Sequence, residues 1–268
     1  MQNTTRRTAL VTGASSGIGR AVAADLVRRG YRVYGTSRRP EAVADPVAGV
    51  EYLALDLTDA DSIAACAAAA GDVDVLVNNA GESQSGPLEE LPMDALERLF
   101  RLNVFGAVRL TQLLLPGMRA RRYGRVVMVG SMLASFPLAH RSSYVASKAA
   151  IKGFADALRR EVSPYGIGVA TVEPGSINTG ISERRTQYLR EGSPYTGDYR
   201  TMLAALNANE AAGIPAETVS RTVLRAIEDA RPRPLYAVGS NAPLVFALRR
   251  LMPRSVVLGM VARRHGLR

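Results

Sequence analysis

What the sequence lacks narrows its chemistry before any motif is considered. A single cysteine, Cys66, in 268 residues excludes an internal disulfide, so the expected compartment is the cytoplasm. The two histidines, His140 and His265, stand far apart, and no Cys/His spacing is suited to zinc, which argues against a metal-dependent mechanism. There is no run of about 20 apolar residues to span a bilayer, and the first eight residues, MQNTTRRT, have none of the apolar core of a secretory signal. Lysine is almost missing: of 34 basic residues only Lys148 and Lys152 are lysines. In a chain that writes nearly every positive charge as arginine, each lysine needs a reason. The net charge of +10 raises the question of nucleic acid, yet no aromatic-rich basic segment or finger-like spacing accompanies it. An acidic ligand and a basic tail account for the charge better.

What is present is an ordinary globular composition, 47% hydrophobic and 22% charged, at a length that suits one domain. Short apolar runs fall at 8–12, 32–36, 50–55, 73–77, 125–130, 168–173 and 235–238. Between them apolar residues recur at three- and four-residue spacing, as in Ile18, Val22 and Leu26 or Ile151, Ala155 and Leu158. Continuous apolar strands alternating with amphipathic helices predict a doubly wound α/β fold, a parallel sheet covered by helices on both faces. The expected division is a catalytic domain over 1–240 and a helical extension over 241–268. Residues 180–214 interrupt the rhythm with a polar insert carrying Tyr188, Tyr195 and Tyr199. At the carboxyl end of such a sheet this suits a substrate lid, the alternative being a plain surface loop.

After the first strand the chain reads Thr12-Gly13-Ala14-Ser15-Ser16-Gly17-Ile18-Gly19 and runs straight into a helix. Gly13 and Gly17 permit tight turns and close approach to a pyrophosphate, Gly19 permits close helix packing, and the helix start offers unpaired N–H groups. The strand, turn and helix context is what a Rossmann-type dinucleotide site requires. At the end of the second strand an NAD site carries an acid for the ribose 2′-hydroxyl. Here Ser37, Arg38 and Arg39 stand instead, and guanidinium forks match a 2′-phosphate, so NADP(H) is the expected coenzyme. The competing reading makes both arginines solvated loop charges.

The segment Ser142-Ser143-Tyr144-Val145-Ala146-Ser147-Lys148 places Tyr144 and Lys148 four apart on one helix face. An ammonium about 6 Å away favours a phenolate by roughly 3 kcal/mol, enough to turn a phenol toward proton transfer.

Taken together, TGASSGIG at 12–19, Asp56-Leu57, Asn78-Asn79-Ala80-Gly81, Leu102-Asn103-Val104, Ser131, YVASK at 144–148 and Pro174-Gly175 resemble the short-chain dehydrogenase/reductase family, in its order and spacing over about residues 5–240. The resemblance implies that Ser131 polarises a substrate carbonyl, that Tyr144 exchanges the proton, and that Lys148 also binds the nicotinamide ribose. It implies that Asn103 sits at a helix irregularity and holds a water that links Lys148 to solvent. Asp56 and Leu57 would contact adenine, with Asn79, Ala80 and Gly81 beneath the adenosine. Pro174, Gly175, Ile177 and Thr179 would meet the nicotinamide carboxamide and the pyrophosphate. Such chains resemble homodimers or homotetramers, with the apolar faces of helices 94–119 and 147–163 as contacts.

Two other classes compete: a non-catalytic NADP(H) sensor, which usually lacks part of the catalytic set, and a sugar-nucleotide epimerase or dehydratase, which usually has TGxxGxxG and a larger C-terminal domain. Within the family the Val172–Gly175 stretch, the Arg-Arg-Pro after strand two and the basic tail look similar to 17β-hydroxysteroid and retinol dehydrogenase-like members and to bacterial aldehyde reductases. That implies a lipophilic aldehyde, ketone or alcohol. Residues 241–268 carry six arginines and no acid, with Leu244, Ala247, Leu248 and Leu251, then Val257, Met260 and Val261, at helical spacing. The expectation is that these helices dock on a partner subunit or cover the substrate pocket. Peripheral binding to anionic lipid is the second reading.

Overall fold

The computed structural model describes residues 6–180 and 183–267; Ile181 and Ser182 of the insert and Arg268 of the tail lie outside the described residues. Each predicted apolar run is a strand: β1 (Thr8–Val11), β2 (Arg32–Ser37), β3 (Val50–Ala54), β4 (Val75–Asn78), β5 (Gly124–Val129), β6 (Ile167–Pro174) and β7 (Leu235–Val238). They form one sheet in the order 3-2-1-4-5-6-7, every pair parallel. The connections are helices α1 (Gly17–Arg28), α2 (Ala60–Ala70), α3 (Met93–Phe100), α4 (Ala107–Arg121), α5 (Ser142–Val162), α6 (Thr196–Ala211) and α7 (Ala216–Glu228), and the tail adds α8 (Ala242–Leu251) and α9 (Arg254–Arg264).

Strand alternation sends neighbouring side chains to opposite faces, and here both faces are apolar. Ala9, Val11, Val75, Val77, Val127 and Val129 pack with Val22 and Leu26 of α1 and Val223 and Ile227 of α7. Leu10, Leu76, Val126 and Met128 pack on the other side with Ile63 and Cys66 of α2, Leu110 and Leu114 of α4, and Ile151 and Ala155 of α5. Each fully buried Val or Leu contributes about 1.5–3 kcal/mol, which fixes the sheet and therefore the strand ends. Cys66 is part of this packing, and burial pushes its thiol up to about 11, so it is an apolar filler and no nucleophile.

Two expectations need correcting. The segment 94–119 is no single helix: α3 and α4 are joined by a π-helical turn over Arg101–Gly106. A side-chain carbon at Gly106 would lie 2.2 Å from the Leu57 carbonyl oxygen, so this turn is pressed against the loop after β3. The insert, for its part, is more than polar loop. Its helix α6 buries Tyr199, Met202 and Leu206, spaced at i, i+3 and i+7, in a third small core with Leu138 and Leu267. Two short parallel pairings pin it, Gln84–Ser85 with Thr186–Gln187 and Ile177–Asn178 with Ile214–Pro215.

Candidate active site

A cavity of about 930 Å³ follows the carboxyl ends of the strands across the point where strand order reverses, between β1 and β4. Its first end is made of backbone. Gly13 and Gly17 are left-handed, at φ +66° and +54°, and a side-chain carbon at Gly19 would lie 2.2 Å from the Gly13 carbonyl oxygen. Ser16 precedes α1 without capping it through its side chain, and the first turn holds no acid, so the N–H groups there remain open to an anion. Thr12 Oγ1 accepts from the N–H groups of Asn79 and Ala80, both at 2.9 Å, which locks the loop after β4 beside the glycine turn. Ser15, Ser16, Gly17 and Ile18 line the cavity at this end.

Further out, Ser37 and Arg38 line the cavity, whereas Arg39 is exposed and lies outside it, its N–H donating to Ser37 Oγ at 3.3 Å. Asp56 and Leu57 line the same end. Hydrogen bonds from Thr58 Oγ1 (2.7 Å) and N–H (2.8 Å), and more weakly Arg38 and Arg98, hold the Asp56 carboxyl below the usual carboxylate range.

At the centre, Tyr144 and Lys148 project from the start of α5, both buried, with Nζ 5.8 Å from the centre of the phenol ring. Lys148 Nζ donates to the Val129 carbonyl at the end of β5, 2.9 Å away. Ser131 follows that strand and its Oγ accepts from the Leu133 N–H at 3.2 Å, which fixes the hydroxyl at the cavity wall. Asn103 lies in the π-helical turn. Its amide donates to the Glu82 carbonyl (3.0 Å) and to Ser147 Oγ (3.2 Å), and Ser147 in turn donates to the Tyr144 carbonyl (2.9 Å). The turn is thereby tied to the catalytic-looking face of α5. A side-chain carbon at Gly81 would stand 3.1 Å from Asn103 Oδ1 and 3.5 Å from Lys148 Nζ, so glycine keeps one space open to both. Pro174, Gly175, Ile177 and Thr179 form the floor, with Thr179 against Gly17.

The chain's other lysine has a structural reason. Lys152 Nζ sits 2.8 Å from the fully buried Glu173 carboxylate and 2.8 Å from Ser135 Oγ, and Ser135 donates to the same carboxylate. This triad clamps α5 to the end of β6 and to the turn that carries Ser131.

The sequence model of the short chain dehydrogenase family matches residues 7–189. A 3-ketodihydrosphingosine reductase from Bacteroides thetaiotaomicron is 30% identical over 89% of this chain and 90% of its own. A short-chain dehydrogenase from Streptomyces avermitilis has the same fold at 36% identity, TM-score 0.81 and 94% coverage of both chains. A short chain dehydrogenase from Burkholderia cenocepacia, solved in complex with NADP, matches at 26% identity, TM-score 0.77 and 96% and 97% coverage. The chain belongs to the short-chain dehydrogenase family. It is an oxidoreductase on that ground.

The cavity of this short-chain dehydrogenase is also lined by residues that motif reasoning did not reach. Arg184, in the insert, bonds Ser16 Oγ (3.2 Å) and the Thr179 carbonyl (3.3 Å), and so lies across the mouth of the glycine turn. Arg98 lines the cavity along with Arg38 and Asp56 and is paired with Glu82. Arg141 and Glu210 line the wall near Tyr144. The far end is roofed by the tail: Val245 and Leu248 of α8, Met252 just after it, and Val257, Met260 and Val261 of α9 face the cavity with Leu133 and Phe136, and Arg249, Arg264 and His265 line it too. Phe136 stacks edge-on with Phe246 at 5.0 Å. Leu244 and Leu251 of α8 remain exposed, the latter 83% accessible, in a segment that also carries Arg249, Arg250 and Arg254. The only sequence signal for the roof was helical periodicity, which marks an apolar face without saying what it covers.

Proposed function

We propose that this chain transfers hydride between NADP(H) and a lipophilic carbonyl or alcohol. The observation that carries the reading is one continuous cavity, with an anion-receptive glycine turn at one end, Ser131, Tyr144 and Lys148 in the middle and a mainly apolar chamber at the other. The residues fit the coenzyme: the glycines leave the space its pyrophosphate needs, the uncapped start of α1 and Arg184 supply donors, and Arg38 suits a 2′-phosphate. The Burkholderia relative solved with NADP supports the same choice.

When bound, the coenzyme supplies or accepts the hydride at its nicotinamide. The Ser131 and Tyr144 hydroxyls hold the carbonyl oxygen and stabilise the charge that develops there. Tyr144 gives that oxygen its proton, and in alcohol oxidation takes it back. Lys148 favours the phenolate and holds the ribose, while Asn103 orders the path by which the proton is replaced. Asp56 and Leu57 would hold the adenine, Asn79, Ala80 and Gly81 the adenosine, and Pro174, Gly175, Ile177 and Thr179 the nicotinamide carboxamide and the pyrophosphate.

The chamber under α8 and α9 favours an alkyl or polycyclic substrate. The similarity to a 3-ketodihydrosphingosine reductase supports a lipid ketone. Exposed Phe105 and Phe154 on the π turn and α5 suit a homodimer or homotetramer. The exposed Leu244, Leu251, Val256 and Leu258 in a tail rich in arginine suit peripheral contact with anionic lipid, and no described helix is long and apolar enough to cross a membrane. Co-sedimentation with anionic vesicles at low salt tests that contact, and a protein that stays in the supernatant removes it.

The test of the reaction is loss of reduced-nicotinamide absorbance with NADPH and a panel of aldehydes and ketones graded by chain length. Turnover that rises with chain length supports the reading. Coenzyme binding without turnover of any carbonyl would make the chain a sensor.

A further inference from the structure

The cavity wall beside Tyr144 contains a charge that the reaction described above leaves unused. Arg141 immediately precedes α5, is 2% exposed, and holds its guanidinium carbon 4.5 Å from the centre of the Tyr144 ring. Its Nη2 donates to Ser83 Oγ at 3.0 Å, while Nε and Nη1 find no acceptor. Among the described residues it forms no ion pair. The carboxylate that acts on it, Glu210, is engaged by Arg185, whose Nη2 lies 2.6 and 2.5 Å from its two oxygens.

The stronger influences of the packing disfavour a cation at this place. It is withdrawn from water, Arg185 repels it, and it stands at the positive end of a 21-residue helix. Burial first and Arg185 second draw it down to about 10, with Tyr144, Glu210 and Tyr199 acting the other way, so it remains charged at neutral pH. What it does have is the face of the Tyr144 ring, whose π-cloud attracts it, and a phenol oxygen that becomes an anion once its proton leaves. Lys148 approaches the same ring, at 5.8 Å.

We propose that Arg141 is a positioning residue that acts through Tyr144: it holds the ring by stacking and shares with Lys148 the negative charge left on the phenol oxygen after proton transfer. The proposal rests on the hydride-transfer reading. In reduction the Tyr144 O–H bond breaks as the O–H bond of the product alcohol forms, and the electron pair left on Oη faces two cations instead of one. In oxidation the same two cations hold Tyr144 ready as the base. The other charged or titratable groups turned toward this pair are Arg185 from the insert and Glu210 and Tyr199 from α6, with His140 stacked on Tyr199 at 5.8 Å.

The experiment is the pH profile of kcat/KM for alcohol oxidation with NADP⁺, in wild type, Arg141→Met, Arg141→Gln and Arg141→Lys. Gln keeps a donor for Ser83 and guards against a misfolded Met variant. The midpoint of the rising limb is expected to move to higher pH by about one unit or more in both neutral variants, and to return toward wild type in Arg141→Lys. A loss uniform across pH, with an unmoved midpoint, or a Lys variant no better than Met, would overturn the proposal. A second readout needs no turnover: ultraviolet difference titration of the NADP⁺ complex, with the Tyr144→Phe signal subtracted, follows the ionisation of Tyr144 directly. If wild type oxidises no alcohol, the hydride-transfer reading fails. The titration then still decides whether Arg141 sets that ionisation.

Discussion

The two ends of the cavity are built in opposite ways. The glycine end, between β1 and the start of α1, is made of main chain, and its function depends on side chains that are missing at Gly13, Gly17 and Gly19. The far end is made of side chains from α6, α8 and α9, elements that meet only after folding. A site built from backbone tolerates few substitutions and is written in a short motif. A site built from side chains on several helices can change its shape one residue at a time.

The largest effect lies where the two ends meet. Tyr144→Phe deletes the transferable proton and keeps the ring, so kcat should fall by more than about 10²-fold while coenzyme still binds. A variant that keeps a tenth of wild-type turnover removes Tyr144 from the chemistry. The next effect probes the glycine end. Arg38→Ala should raise the Kd for NADPH by roughly ten- to a hundredfold and leave that for NADH unchanged, since a charged hydrogen bond to a 2′-phosphate is lost. Equal affinities for the two coenzymes in wild type would remove the NADP(H) assignment.

At the other end, Leu248→Asn places an amide in the roof. Roughly tenfold should be lost in kcat/KM for a long-chain carbonyl and much less for a short one. An equal loss for both would show that α8 does not touch substrate. The smallest effect is on stability. Burial, aided by Arg264 and opposed by the bond from His265 Nδ1 to the Val261 carbonyl, holds His265 below its usual 6.5. The unfolded chain then binds this proton first, so the stability is fully present above pH 6.5 and is lost as pH falls through the lower folded value. His265→Gln should flatten the fall in Tm between neutral pH and pH about 5, measured by thermal melts. An unchanged slope would place the acid sensitivity elsewhere.

The same contrast explains what could be read from the sequence. The seven strands were legible because each is a continuous apolar run bounded by turn residues, and the glycine turn before α1 because glycine at those spacings has few other uses. Tyr144 and Lys148 could be paired by helical spacing alone. The helix in the insert was hidden because Tyr199, Met202 and Leu206 are diluted among polar residues along one helix face. The break in 94–119 was absent from the periodicity, since a π turn has none of its own, and only the family resemblance put a helix irregularity at Asn103. Arg141 and Arg184 were lost among many arginines, since a sequence does not say which guanidinium is buried. Lys152 showed the reverse: its rarity marked it, and only the Glu173–Ser135 triad says that it is a clamp.

Three consecutive residues, Gly239, Ser240 and Asn241, adopt left-handed backbone at φ +81°, +46° and +53°, two of them at a cost that glycine would not incur. Ser240 Oγ accepts from the Ser176 N–H at 3.0 Å, and Gly175 must lack a side chain to make room for it. The tail is therefore hinged on the cavity floor, a fixed seam common to whatever roof follows. Mechanically such a seam is a fixed joint: side chains of α8 and α9 set the size of the chamber, while the strand ends carry the floor on which the joint stands.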